Sequence, residues 1–197
     1  HGYRIERLPV GYAWLPELSS ELGIEKLGFE SQHMTVDSHS AFQKAIGTAK
    51  KGADIALVEA PYSLDQLRAI KSGEEMSLLD RAIEITDQAF GDVASRIEVG
   101  MTEERVAWQL ELAMRECGAE AMAFDIIVGA GLNSALPHHL ADETVIREGE
   151  PIVIDMGARF DGYCADLTRT VFLGEPDEKF LHVYEVVLQA QLAAEEQ

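Results

Sequence analysis

The sequence predicts an α+β fold, and three observations carry that reading. Two helical stretches follow one another, a long one after Lys71-Ser72-Gly73 and a second after Thr102, each with apolar residues at alternating three- and four-residue spacing. Two strand-favouring runs, Ile152 to Phe160 and Tyr163 to Phe172, flank Asp161-Gly162, a dipeptide suited to a two-residue hairpin turn in which both central residues take positive φ. Ahead of both, residues 1 to about 60 alternate short helix and strand patterns, as αβ units of an open sheet do. A helix pair laid across a mostly antiparallel sheet accommodates the larger part of the chain.

The elements follow in order. The first segment reads as a helix near Pro16 to Leu22, a strand near Lys26 to Glu30, a helix from about Ser40 to Lys50 and a strand Ile55 to Glu59. Pro61-Tyr62 opens a helical stretch, which sets a boundary between residues 1–60 and 61–197. In the long helix Met76, Leu79, Ile83, Thr86, Phe90, Val93 and Ile97 form one expected buried stripe, ended by Gly100. Thr102 is the expected N-cap of the next helix, with Glu103 and Glu104 in its first turn, where the helix dipole favours negative charge. Val106, Leu110, Ala113, Met114 and Cys117 make its buried face, and Gly118 stops it.

Phe124 to Val128 reads as a strand leading into the loop GAGLNSALPHH, Gly129 to His139. Gly129 and Gly131 do not make a dinucleotide loop, because Ser134 stands where a third glycine is needed and Pro137 interrupts the helix that should follow. A last helix starts near Asp177, with Phe180, Tyr184, Val187 and Leu188 along one side, expected to pack on the sheet. The chain opens without an initiator Met and closes inside that helical pattern, so a fragment of a longer polypeptide is expected.

Of 197 residues, 47% are hydrophobic and 26% charged, the balance of a globular protein. Thirty-five acidic against 16 basic side chains give a net charge of −19, which argues against nucleic acid or an anionic membrane held by bulk electrostatics. No signal-peptide pattern or bilayer-length apolar run is present, and the expected location is cytoplasmic. Cys117 and Cys164 form no CxxC, so neither a disulfide framework nor a thiolate zinc site is expected.

A turn at Asp161-Gly162 fixes the register of the hairpin: Phe160 faces Tyr163, Gly157 faces Asp166 and Asp155 faces Thr168. Asp155 and Asp166 then lie on one face as diagonal neighbours, with Cys164 on the same side. The opposite face, Ile154, Met156, Ala158 and Phe160 against Tyr163, Ala165, Leu167 and Val171, packs on the core, with Arg169 out of character. Two carboxylates about 5 Å apart at an effective dielectric near 20 repel by roughly 3 kcal/mol. The spacing leaves two readings open, a solvated face and a site for one or two divalent cations. Gly157 opposite Asp166 leaves open space and Thr168 offers Asp155 a hydroxyl, both of which favour the second. His138 and His139 are a further source of a neutral donor or a metal ligand.

Taken together, the run IKSGEE before a long helix, then GMTEERVA, FDIIVGAGLNSALPHH, VIDMGARFDGYCADLTRTVFLG and a helix beginning PDEKF resemble the proline-specific branch of the M24 metallopeptidases. These are the pita-bread enzymes that include Xaa-Pro aminopeptidases and Xaa-Pro dipeptidases (prolidases), and the resemblance runs from about Pro61 to Gln197. It implies the first half of a pita-bread catalytic domain over residues 61–197, with residues 1–60 as the end of the small α/β N-terminal domain of that branch. It also implies two divalent metal ions, manganese, cobalt or zinc, held by two Asp, one His and two Glu.

Asp155 and Asp166 match the two aspartates that bridge those metals, and Thr168 a threonine beside them. His138 matches the histidine that hydrogen-bonds substrate and steadies the tetrahedral intermediate, without being a metal ligand. His139 stands where relatives often carry glycine and receives no role. The ligand His and both ligand Glu are expected beyond Gln197, since His182, Glu195 and Glu196 lack the family context, so the chain as it stands should be an inactive half-site. The implied substrate is a peptide or dipeptide with proline at the second position, and the implied assembly a homodimer. Two alternatives share the fold, a non-catalytic pita-bread binding protein and a metal-independent, creatinase-like hydrolase, and both should have lost the hairpin aspartates.

Overall fold

A computed structural model describes residues 5–47, 55–60 and 63–196. The chain divides into two compact units, 1–70 and 71–197. In the first, α1 (Leu15–Glu21), β1 (Lys26–Phe29), α2 (Val36–Gly47), β2 (Ala56–Glu59) and α3 (Ser63–Ala69) follow one another, and β1 pairs parallel with β2 around a helical crossover. The expected end of the second helix at Lys50, and the helical start at Pro61-Tyr62, lie outside the described residues.

The second unit opens with α4 (Gly73–Ala94) and α5 (Glu103–Glu116). A reciprocal cap starts α4: the Ser72 hydroxyl accepts from the Glu75 amide at 3.3 Å, and the Glu75 carboxylate accepts from the Ser72 amide at 2.7 Å. The buried face of α4 is Ala82, Ile85, Thr86, Ala89 and Val93, which shares Thr86 and Val93 with the expected line but turns away from its Met76 and Ile83, each 47% exposed. The pattern of large residues misplaces the face because the two alanines are what let the helix back close onto the sheet. For α5 the expected face is the observed one, with Val106, Leu110, Ala113 and Met114 buried under an N-cap from Thr102.

Six short strands follow: β3 (Ala121–Met122), β4 (Ile127–Ala130), β5 (Pro151–Met156), β6 (Ala158–Phe160), β7 (Tyr163–Cys164) and β8 (Leu167–Phe172). They form two antiparallel sheets, ordered β3-β6-β7 and β4-β5-β8, where the sequence predicts one continuous hairpin. Strand pairing near Phe124 begins only at Ile127. Asp161 (φ 47°) and Gly162 (φ 83°) both take positive φ, and the ladders pair Phe160 with Tyr163 and Asp155 with Thr168, the register expected from that turn. The core lies between the helices and the inward side chains of the sheets, with Ile85, Leu110, Met114, Ile146, Ile152, Ile154 and Met156 fully buried.

The break falls at Gly157. A Cβ there would lie 1.9 Å from the Ala165 carbonyl oxygen, so the space opposite Asp166 is filled by backbone and is not open as expected. The Ala158 amide leaves the ladder and donates to the buried Thr86 hydroxyl at 3.0 Å, which itself donates to the Ala82 carbonyl at 2.9 Å. A buried amide without that acceptor would cost about 1–3 kcal/mol.

The last helix, α6 (Glu178–Glu195), starts at Asp177 as expected, but meets the sheet through its first turn without burying its apolar side: none of its residues is buried and Val187 is 61% exposed. Its first turn is covered, Phe180 meeting Phe172 edge-on at 4.6 Å, and beyond it Leu188 is half-buried while Tyr184, Val187 and Leu192 are exposed.

Tyr163 donates to Glu75 at 2.9 Å, tying the start of α4 to the hairpin. The Ser72 backbone hydrogen bond, followed by the one from Tyr163, holds the Glu75 carboxyl below its ordinary range, and the Glu75 acceptor holds the Tyr163 phenol above its own. A depressed carboxyl stabilises the fold above its unfolded pKa and stops doing so as pH falls through the folded one. Tyr163→Phe should therefore lower the urea midpoint most near neutrality, the difference shrinking as pH falls through the folded-state pKa of Glu75. Gly157→Ala should cost at least the roughly 1–3 kcal/mol of overpacking, whereas Gly91→Ala, in open space on α4, should stabilise by about 0.5–1 kcal/mol; denaturant unfolding of both variants checks the contrast.

Candidate active site

Strand β5 alternates in burial along its length, sending Ile152, Ile154 and Met156 into the core and Val153 and Asp155 to the other side. Opposite Asp155 stands Thr168, whose hydroxyl donates to Asp155 Oδ1 at 2.8 Å. Asp166 lies two residues before Thr168, in the gap between β7 and β8 that the tight crossing at Gly157 creates. The two carboxylates thus share one face of the ribbon.

That face opens into a cavity of about 400 Å³ lined by Asp155, Asp166, His138, His139, Asp125 and Phe124, with Ile127 and Leu140. His138 comes from the segment after β4. Gly129 permits its approach: a Cβ there would lie 2.8 Å from the Asn133 carbonyl, so the 3-10 turn Gly131–Ala135 can fold back over the strand only because residue 129 has none. The sequence-predicted residues His138, Asp155 and Asp166 therefore line one cavity. Asp125, a third carboxylate there, is a residue that the strand pattern over Phe124 to Val128 gave no reason to single out.

Among the described residues, no cationic side chain pairs with Asp155 or Asp166, and Asp166 accepts no hydrogen bond. Oxygen donors facing a cavity without a protein counter-charge fit a hard divalent cation. A second group, Glu103, His139 and Asp142, offers ligand atoms within 4.8 Å of one another, and it fits a cation poorly. Glu103 is fully buried, and its Oε1 accepts from the Ala130 amide at 2.7 Å and from Asn133 Nδ2 at 3.0 Å. Its Oε2 lies 2.6 Å from His139 Nε2, which donates to it in the Nε2–H tautomer, and accepts from the Asp142 amide at 3.3 Å. The lone pairs a metal needs are already filled by N–H donors. Hydrogen bonds from the Thr144 hydroxyl and amide hold the Asp142 carboxyl below its ordinary range, and the nearby His139 adds to the effect.

Glu103 was the residue that sequence reasoning missed. The dipole argument placed it correctly in the first turn of α5, but a fully buried glutamate in that turn left no mark in the apolar periodicity.

The model of metallopeptidase family M24 matches residues 77–197. The chain belongs to that family. Among its M24 relatives, an uncharacterised peptidase of Bacillus subtilis is 40% identical over 169 residues, 86% of this chain and 46% of the relative. An Xaa-Pro dipeptidase of Pyrococcus furiosus is 42% identical over 133 residues, 68% of this chain and 38% of the relative. In three dimensions the chain resembles an Xaa-Pro dipeptidase from Bacillus anthracis (TM-score 0.83, 42% identity, 91% of this chain and 49% of that one). It also resembles an X-Pro aminopeptidase from Thermotoga maritima (TM-score 0.80, 34% identity, 96% and 53%). The chain spans about half the length of the relatives it matches. Its α+β architecture is accordingly that of part of an M24 pita-bread fold.

Proposed function

We propose that the whole protein hydrolyses the bond preceding proline in peptides or dipeptides that carry proline at the second position. Residues 61–197 would supply the first half of its catalytic domain and residues 1–60 part of a smaller N-terminal domain. The observation that carries the reading is the cavity in which Asp155, Asp166 and His138 converge with no cationic side chain, among the described residues, to neutralise the two aspartates. Relatives named both as dipeptidases and as aminopeptidases support the substrate class, and the choice between those two activities is left to substrate length.

In this reading Asp155 and Asp166 hold two divalent ions, manganese, cobalt or zinc, together with ligands that this chain does not contain. When bound, such ions lower the pKa of water and polarise a carbonyl. The chain's own residues do the rest of what can be derived. Thr168 donates to one oxygen of Asp155 and so fixes the plane of that carboxylate. His138, exposed at the cavity, donates a hydrogen bond to the substrate's carbonyl oxygen as charge develops there. This chain alone, with two of the ligands, binds metal weakly and does not turn over substrate. A cytoplasmic homodimer belongs to the same reading. Both alternatives, a non-catalytic binding protein and a creatinase-like hydrolase, predict replacement of the aspartates at positions 155 and 166, and both aspartates are present.

The test uses the protein at its full encoded length. Asp155→Ala and Asp166→Ala should each lower turnover of an Xaa-Pro dipeptide or tripeptide at least about 100-fold, with bound manganese, measured by elemental analysis, falling in parallel. Thr168→Val should retain turnover while weakening manganese binding about 10-fold or more. Full activity in either aspartate variant would remove the metal site from Asp155 and Asp166.

A further inference from the structure

The segment between β4 and β5 carries His138, yet His138 itself has no side-chain partner among the described residues. What holds the segment is next to it. Among the described residues, the side-chain hydrogen bonds that tie it to the rest of the fold end on Glu103: Asn133 donates to it, His139 meets it and the Asp142 amide donates to it, while a second Asn133 bond, to Thr144, closes the segment on itself. The Ala130 amide, where the segment leaves β4, donates to Glu103 as well. One carboxylate, 0% exposed and on the first residue of α5, thus gathers both ends and the middle of residues 130–142.

A buried charge of this kind is costly to desolvate and is tolerated here because four donors converge on it. The α5 backbone adds two bonds in the same place, the Glu103 amide to the Thr144 carbonyl at 3.1 Å and the Glu104 amide to the Asp142 carbonyl at 3.0 Å. His139 is the lever: its side chain, 10% exposed, is anchored on Glu103 while lining the cavity that holds Asp155 and Asp166, and the adjacent His138 is exposed at that same cavity. An imidazole that must meet a developing charge loses about 100-fold in rate when misplaced by 1 Å.

We propose that Glu103 is the positioning residue of this site: through His139 and the Ala130, Asn133 and Asp142 donors it fixes residues 130–142 so that His138 is held at the cavity containing Asp155 and Asp166. Glu103 touches neither substrate nor metal and acts through His138. The proposal rests on the peptidase reading for its catalytic consequence, but not for its structural one.

Two readouts on the full-length protein separate these. Amide hydrogen exchange compares wild type with Glu103→Gln and His139→Gln, the second variant removing one tie without disturbing the Ala130 amide. Exchange within residues 131–142 should accelerate at least about tenfold in both, with the α4 and β5 amides unchanged. Unchanged exchange in that segment overturns the proposal whatever the activity. Turnover of an Xaa-Pro dipeptide should fall about 30- to 100-fold in kcat for Glu103→Gln, with manganese binding within about threefold of wild type. In a His138→Ala background the same substitution should add almost nothing, because its effect passes through the missing imidazole. An equal loss in both backgrounds, or a loss of kcat that tracks loss of manganese, overturns the positioning role. Wild-type protein inactive on every Xaa-Pro substrate would overturn the peptidase reading and the catalytic consequence with it, leaving hydrogen exchange to judge the tie alone.

Discussion

The site depends on a backbone constraint rather than on any side-chain attraction. A two-residue reversal with both residues at positive φ admits one register between the strands it joins, and side-chain alternation then decides which residues share a face. A slip of one residue would turn Asp155 into the core and Ile154 out of it, exchanging a fully buried isoleucine for a charge. Burial of Ile152, Ile154 and Met156 therefore enforces the placement of the aspartates as firmly as the turn does. The repulsion between the two carboxylates is accepted because the opposite face of the same ribbon is core.

The second constraint is the crossing at Gly157. There the ribbon divides into two sheets, the Ala158 amide is taken by Thr86 of α4, and the Ala165 carbonyl occupies the place of a side chain. Asp166 consequently sits in a gap of the ladder instead of in a regular strand, where aspartate is poorly accommodated. Helix α4 thus does more than cover the sheet. Its buried hydroxyl completes the hydrogen bonding at the break on which the site geometry rests, and Glu75 at its start is bound by the hairpin's Tyr163.

Much of this was legible in the sequence, and the exceptions have physical causes. Asp161-Gly162 sufficed for the register, and Thr102 as an N-cap sufficed for the start of α5, because both signals are local. The face of α4 was misjudged because alanine is a weak hydrophobic signal although it permits the closest packing. The splitting of the sheet was hidden because a glycine marks equally a vacancy and a close approach, and only tertiary structure tells them apart. Glu103 was hidden for a related reason: its four partners are spread from residue 130 to residue 142, and a buried charge is recognised by its donors, not by its own letter. The apolar side of α6 follows the helical period but meets the sheet only at Phe180, among the described residues.

Two acidic groupings lie in this unit, and the account assigns them opposite parts: Asp155 and Asp166 as ion ligands, Glu103 with His139 and Asp142 as a filled hydrogen-bond hub. Crystals of the full-length protein grown with manganese, with diffraction recorded at the manganese absorption edge, test that assignment most directly. The account predicts anomalous density between the Asp155 and Asp166 carboxylates and none at Glu103. Density at the Glu103 cluster with none between the two hairpin aspartates would contradict it.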